Sequence, residues 1–354
     1  MTEKFTLLEN VPLSGYSTIG LGGTARHFAL CRSENELLQA LEFARARSLR
    51  AQILGGGSNT LFADGGFDGI VVKVDLHRTT YRDDGDWCFV TAAAGEDWNA
   101  FVRECIHRGL AGLECLSGIP GSVGATPIQN VGAYGQEVGD TIVAVEAIGR
   151  ESLASVTFNG KECEFGYRQS RFKGKDKDRY LVTAVTFRLQ RNGLPSIRYP
   201  ELRKYMESAI DLGALGAGRA ALEAVAKAVV ALRRKKSMVI DPADPQSKSL
   251  GSFFMNPVLT EDAFARLRER CGDVPSFPAE GGIKVPAAWL VEHAGFHRGY
   301  ALGGAAISAN HALALVNLGT TTAELLALAR RIQDGVQQHF GVLLEMEPVV
   351  VPQA

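Results

Sequence analysis

The sequence contains no uninterrupted apolar run of about 18 residues, so nothing in it reads as a membrane-spanning helix. It has no excess of either charge: 38 Lys and Arg stand against 39 Asp and Glu, a formal net charge of −1. That balance excludes a polycationic field for nucleic acid or an anionic membrane. Its six cysteines, at 31, 88, 105, 115, 163 and 271, include no C-x-x-C pair. Buried reduced thiols are expected rather than a disulfide framework or a zinc site. His293 and His297 stand four apart, but Gly295 lies between them and no H-E-x-x-H accompanies them, so no metal is expected. The stretch "MTEKFTLLEN" has no secretory apolar core or small-residue cleavage site, and the protein is expected in the cytoplasm.

Two phosphate-binding signatures are also missing. No G-x-x-x-x-G-K-[ST] occurs, which removes a P-loop. "GLGGTA" (20–25) matches the dinucleotide fingerprint in letters, but the following "RHFAL" reads as a strand. The fingerprint needs a helix whose N-terminus faces the pyrophosphate, so this match is rejected. A nucleotide would have to be held by loops.

What is present is ample core material: 354 residues, 46% hydrophobic and 22% charged. At roughly 150 residues per domain this suggests two or three units. In the first, Ser33 to Glu36 form a capping box for a helix from about 34 to 47, followed by the strand "AQIL" (51–54) and by "GIVVKV" (69–74). A second begins near residue 76. "WCFVTAAAG" (87–95), "TIVAVEAIG" (141–149) and "YLVTAVTFRLQ" (180–190) read as strands, and Trp98 to Ile106 as a helix stopped by Gly109. An Ala-rich helix in 213–236 ends in "RRKK", and "DPADPQSK" (241–248) suits a boundary. The third unit has a helix after Thr260, one opened by Pro286, and a closing helix with the capping box Thr321 to Glu324 and the stop Gly341. "VLLEMEPVVV" (342–351) reads as a strand with Glu345 and Glu347 on the same side.

Two stretches call for chemistry. "ILGGGSNTLF" (53–62) breaks an apolar run with three glycines, either for a plain hairpin turn or so that another molecule's atoms can approach the main chain, commonly a phosphate. Residues 115–140, "CLSGIPGSVGATPIQNVGAYGQEVGD", form a long irregular stretch whose mixture of apolar residues and six glycines suits packing against a ligand. Two such loops would suit a long diphosphate cofactor clasped between them.

"ILGGGSNTLF", "SGIPGSVGATPIQNVGAYG", "FGYRQSRF", "GSFFMNP" and "LEMEP" follow the order and approximate spacing of the bacterial UDP-N-acetylenolpyruvoylglucosamine reductases, flavoenzymes of cell-wall precursor synthesis. The resemblance runs from about Ser17 to Pro348. It implies an α+β fold: a two-subdomain FAD-binding module of the vanillyl-alcohol-oxidase type plus a separate α+β substrate-binding domain. The implied division is 1–75 joined by a terminal strand at 342–354, then 76–240, then 241–341. It implies non-covalent FAD, NADPH as reductant, a monomer, and no nucleic-acid or membrane partner.

The same resemblance assigns residues. Gly55, Gly56, Gly57, Ser58 and Asn59 look like a first pyrophosphate clamp. Pro120, Gly121, Ser122, Gly124, Ala125, Gln129, Asn130, Gly132, Ala133 and Tyr134 look like a second. Arg168 matches the arginine that meets the substrate carboxylate and the developing enolate, a planar partner that Lys replaces poorly. Ser252 matches the serine that protonates the enol carbon, which demands neighbours able to stabilise an alkoxide. Glu347 matches the carboxylate acting with Arg168, with Glu345 as its confounder. Tyr199 in "RYPEL" matches a tyrosine of the longer subtype that closes over the sugar nucleotide. Lys236 and Asn256 resemble diphosphate contacts. "RRKKSMVIDP" carries two more residues than the commoner K-L-P-D-P, which leaves Lys235 as an alternative to Lys236. Rival readings are an oxygen-using oxidase on the same fold, disfavoured because neither glycine loop holds a His to tether flavin, and a non-catalytic nucleotide-sugar sensor.

Overall fold

The computed structural model describes residues 5–353. Its first sheet has the order Leu7–Pro12, Thr24–Cys31, Phe67–Val74, Ala51–Leu54. The outermost pair is antiparallel, and the other two pairings are parallel. Phe67–Val74 is central and buried along most of its length, as a strand covered on both faces must be. Helix Glu34–Ala46 packs on this sheet through Leu37, Ala40, Leu41 and Ala44. Ser33 accepts from the Glu36 amide and Glu36 returns the bond, so the expected capping box forms. The stretch after "GLGGTA" is indeed the strand Thr24–Cys31, which confirms why no dinucleotide helix starts there.

A second sheet is wholly antiparallel in the order Ser155–Asn159, Ile142–Gly149, Tyr180–Arg191, Trp87–Ala93, Thr79–Asp84, with Leu110–Ala111 added beside the end of Tyr180–Arg191. Helix Trp98–His107 buries Trp98 and Phe101 against Phe187, with ring centroids 5.9 and 5.1 Å from it. One continuous apolar core runs from Ala29 through Phe187 to Leu222 and joins both sheets. Helices Pro200–Glu207 and Arg219–Lys235 pack together over Cys115.

Beyond residue 248, two small sheets and helices Glu261–Cys271, Ala287–His293 and Thr322–Phe340 share a second core, to which Ile19, Leu21 and Leu61 also contribute. The last helix starts on the predicted Thr321–Glu324 capping box, a device worth about 1 kcal/mol, and stops at left-handed Gly341. The fold is α+β. Among the described residues no helix is long and apolar enough to cross a membrane.

One element differs from expectation. Only Val349–Val351 forms a strand, paired in parallel with Thr60–Phe62, and 342–348 is not continuous strand. Met346 bridges Phe254, Glu347 N donates to Phe253 O, and Met255 N donates to Glu345 O. The chain is drawn off a regular ladder because it must serve two neighbours in succession, the 253–255 segment and then Thr60–Phe62.

The 115–140 stretch is ordered by short turns and by a buried carboxylate. Glu114, 1% exposed, accepts from Gly112 N, Gln136 Nε2 and Ser196 N at 2.7 to 2.8 Å. A carboxylate so fully satisfied fixes irregular backbone where no ladder does.

Candidate active site

The two glycine loops face each other across a cavity of about 540 Å³, within the roughly 300–1,000 Å³ usual for ligand sites. Their approach is direct. A Cβ on Gly56 would lie 2.5 Å from Gly121 Cα, and one on Gly55 would lie 2.5 Å from Ser122 Oγ. Gly57 has φ +66°, and a side chain there would strike the carbonyl of Tyr16. Ser58 Oγ donates to Pro120 O at 3.0 Å, tying one loop to the other. The amides of Gly55 and Gly56 have no hydrogen-bond partner among the described residues, and Ser122 Oγ is buried and unpartnered. Such unsatisfied donors on closely apposed glycines are what an anionic diphosphate requires. The residues fit an FAD.

Gly55, Ser58 and Asn59 line the cavity, as do Pro120, Gly121, Ser122, Gly124 and Ala125, and then Gln129, Gly132, Ala133 and Tyr134. Gly56, Gly57 and Asn130 do not. The two glycines make the approach of the loops possible. Asn130 is 2% exposed, at φ 47°, and braces the loop by donating to Glu137 Oε2 (2.6 Å) and Gly166 O (3.0 Å).

Arg168, Ser252 and Glu347 come together on this cavity. Arg168 Nε lies 3.0 Å from Glu347 Oε1 without an aligned hydrogen bond, and Nη2 donates to Gly132 O at 2.8 Å. Nη1 has no hydrogen-bond partner among the described residues. Glu347 Oε1 accepts from Gln129 Nε2 at 3.1 Å, and Asn59 Nδ2 donates to Gln129 Oε1 (3.1 Å) and to Glu347 O (3.2 Å). The carboxylate is thus held by Gln129 of the second loop and by the arginine, while Asn59 of the first loop secures Gln129 and the Glu347 main chain. Ser252 ends strand Ser249–Ser252, and the next residue, Phe253, accepts from Glu347 N, which brings the two segments side by side on the cavity. Ser252 Oγ makes no hydrogen bond among the described residues and is free to meet a ligand. Glu345 is exposed, so the two glutamates are sorted by burial.

Tyr199 and Lys236 line the cavity's other end, where the Tyr199 ring meets Tyr134 edge-on at 5.4 Å and Lys236 Nζ donates to Glu201 Oε2 at 2.7 Å. Lys235 instead lies 4.9 Å over the Tyr205 ring and does not line the cavity. Asn256 is also off the cavity: its Oδ1 accepts from Ala287 N at 2.8 Å and so holds the start of helix Ala287–His293.

Among the cavity residues that escaped the sequence reading of the site are Lys173, Arg233 and His311. Arg233 is 9% exposed with an unpartnered Nε, and burial pushes its pKa down to about 10. His311 Nδ1 accepts from Leu313 N at 3.0 Å, which leaves the proton on Nε2. Burial first, then Lys236, Arg233 and Arg298, lower its pKa to about 4, so it is a neutral donor within reach of three cations. Burial likewise pushes the Tyr134 hydroxyl up to about 12. Arg233 is hidden in the run "RRKK", and His311 stands in no motif at all.

Comparison with known proteins places the chain in a family. Residues 25–151 match the FAD binding domain family, and 242–351 match the UDP-N-acetylenolpyruvoylglucosamine reductase C-terminal domain. The chain is 45% identical over 362 residues to the UDP-N-acetylenolpyruvoylglucosamine reductase of Thermobifida fusca, covering 99% of both, and 44% identical to that of Streptomyces coelicolor, covering 99% of this chain and 91% of the other. The crystal structure of the Thermus caldophilus UDP-N-acetylenolpyruvylglucosamine reductase superposes with a TM-score of 0.64 at 26% identity over 99% of each chain. With identity of this degree along the full length of both chains, the protein is an FAD-dependent oxidoreductase and belongs to the UDP-N-acetylenolpyruvoylglucosamine reductase family.

Proposed function

We propose that the chain reduces the enolpyruvyl ether of UDP-N-acetylglucosamine to UDP-N-acetylmuramate, with NADPH as reductant, in peptidoglycan precursor synthesis. One observation carries the reading: Arg168, Ser252 and Glu347, from three distant segments, border one cavity together with two apposed glycine loops. Residues 1–75 with 342–354, and 76–240, form the FAD-binding pair in this reading, and 241–341 the substrate domain. Gly55 to Asn59 and Pro120 to Tyr134 hold the diphosphate of the FAD. Neither 55–59 nor 120–134 contains His or Cys, which supports a cofactor held without a covalent bond. Bound flavin supplies hydride to the enolpyruvyl group.

Reduction at the terminal carbon leaves an enolate-like charge beside a carboxylate, and the residues answer that crowding. Arg168 offers its uncommitted Nη1 to the carboxylate, while Nε and Nη2 are anchored by Glu347 and Gly132. Glu347 keeps the guanidinium in place and is itself fixed by Gln129. Ser252 delivers the proton to the neighbouring carbon, and the Arg168 guanidinium on the same cavity offsets the charge left on its oxygen. Tyr199 and Lys236, with Arg233 and His311, receive the nucleotide diphosphate. Asn256 acts at one remove, through helix Ala287–His293.

An anaerobic titration tests this. NADPH should bleach the flavin bands, and the enolpyruvyl substrate should restore the oxidised spectrum stoichiometrically. Bleached protein that stays bleached on adding substrate would overturn the reading.

A further inference from the structure

Lys173 extends from a rigid turn into the cavity between two catalytic segments. Its ammonium donates to Arg168 O at 2.9 Å and approaches Met255 Sδ at 3.6 Å. Arg168 carries the guanidinium and sits at φ 54°, a left-handed conformation that a residue with a side chain holds only when its surroundings fix it. Met255 lies three residues after Ser252 and donates its amide to Glu345 O.

The turn itself is well braced. Ser170 Oγ donates to Ile128 O at 2.6 Å and accepts from the amide of Phe172 at 3.1 Å. Asp176, 4% exposed, binds Arg171 at 2.7 Å and Arg179 at 2.9 Å. Burial pushes the Lys173 pKa down, opposed by Glu347 and Glu345 and assisted by Arg168. A half-buried ammonium whose aligned partner is a carbonyl, with no carboxylate in ion-pair contact, does not resemble a solvated surface lysine.

We propose that Lys173 is a positioning residue for the reduction: by binding the carbonyl of Arg168 it holds that strained backbone and aims the guanidinium at the substrate carboxylate. The inference rests on the reaction proposed above. It makes Lys173 act through Arg168, which a double-mutant cycle detects.

The test compares Lys173→Met, Lys173→Arg, Arg168→Lys and the Lys173→Met/Arg168→Lys double variant as holoenzymes in anaerobic stopped flow. Lys173→Met should leave flavin reduction by NADPH within about twofold of wild type and slow reoxidation by saturating substrate about 10- to 100-fold, the scale of a misaimed catalytic group. Lys173→Arg should recover most of the loss. The double variant should be no slower than Arg168→Lys alone. Substrate affinity of the oxidised protein, read from flavin absorbance, should show the same non-additivity. Additive penalties, equal slowing of both half-reactions, or wild-type reoxidation in Lys173→Met would each overturn the inference while leaving the reaction standing. A wild-type enzyme that substrate cannot reoxidise overturns the proposed reaction itself, and this inference with it.

Discussion

Arg168 and Glu347 lie 3.0 Å apart, Nε to Oε1, and the same carboxylate oxygen accepts a hydrogen bond from Gln129, which in turn is bound by Asn59. One ion pair therefore connects the turn at 166–169, both glycine loops and the segment after the last helix. Breaking a half-buried pair by deleting one member leaves the other charge unpaired, so conservative substitutions are the informative ones.

Arg168→Lys keeps the charge and loses the fork. The ammonium cannot serve Glu347, Gly132 and an incoming carboxylate from one plane. Reoxidation by substrate should slow at least about tenfold with reduction by NADPH unaffected, as measured by anaerobic stopped flow. Normal reoxidation would remove Arg168 from the carboxylate site.

Ser252→Ala deletes the proposed proton donor and nothing else, since that hydroxyl holds no structural hydrogen bond among the described residues. Thermal stability and flavin content should match wild type. The second half-reaction should slow by the roughly 10²–10⁴ of general acid catalysis. Equal slowing of both halves would contradict the role.

Gly56→Ala tests the closeness of the loops separately from backbone strain, because its Cβ would lie 2.5 Å from Gly121 Cα. Prising the loops apart should cost about 1–3 kcal/mol, the usual scale of overpacking. FAD affinity of the apoprotein, followed by quenching of flavin fluorescence, should weaken about 10- to 100-fold. Unchanged affinity would mean that this contact does not shape the cofactor site.

His311 gives a pH signature of known sign. Its folded pKa, about 4, lies below the ordinary 6.5. Above pH 6.5 both folded and unfolded imidazoles are neutral and the group contributes nothing. As pH falls from 6.5 towards 4 the unfolded chain binds the extra proton and stability declines. At pH 5.5 the loss reaches about 1 kcal/mol. His311→Gln, which cannot titrate, should therefore lose less Tm than wild type between pH 7 and 5. Parallel Tm curves for the two proteins would show that His311 is not buried as described.

The parts of the molecule legible in its sequence are those governed by local rules. Ser33 and Glu36 cap one helix and Thr321 and Glu324 another, because a cap is decided within four residues. The strand after "GLGGTA" was readable for the same reason. The meeting of Arg168, Ser252 and Glu347 was reached only through resemblance, since no periodicity links segments so far apart. The limits follow the same logic. Residues 342–351 alternate like a strand, yet the segment changes partner midway, and such a choice lies outside its own letters. Asn256 has a polar side chain near the site, but the Ala287 amide claims it. Lys173 and His311 owe their character to what surrounds them, a carbonyl for the one and burial among cations for the other, and a lone basic residue gives no sign of that.

The parallel pairing of Val349–Val351 with Thr60–Phe62, and the bond from Asn59 to the carbonyl of Glu347, join positions 289 and 288 apart respectively. Contacts of such separation form late, after a large loop has been closed. During synthesis, then, the glycine-rich floor emerges long before the segment that supplies its carboxylate, and a nascent chain halted short of residue 347 lacks both the Arg168–Glu347 pair and the strand that joins Thr60–Phe62.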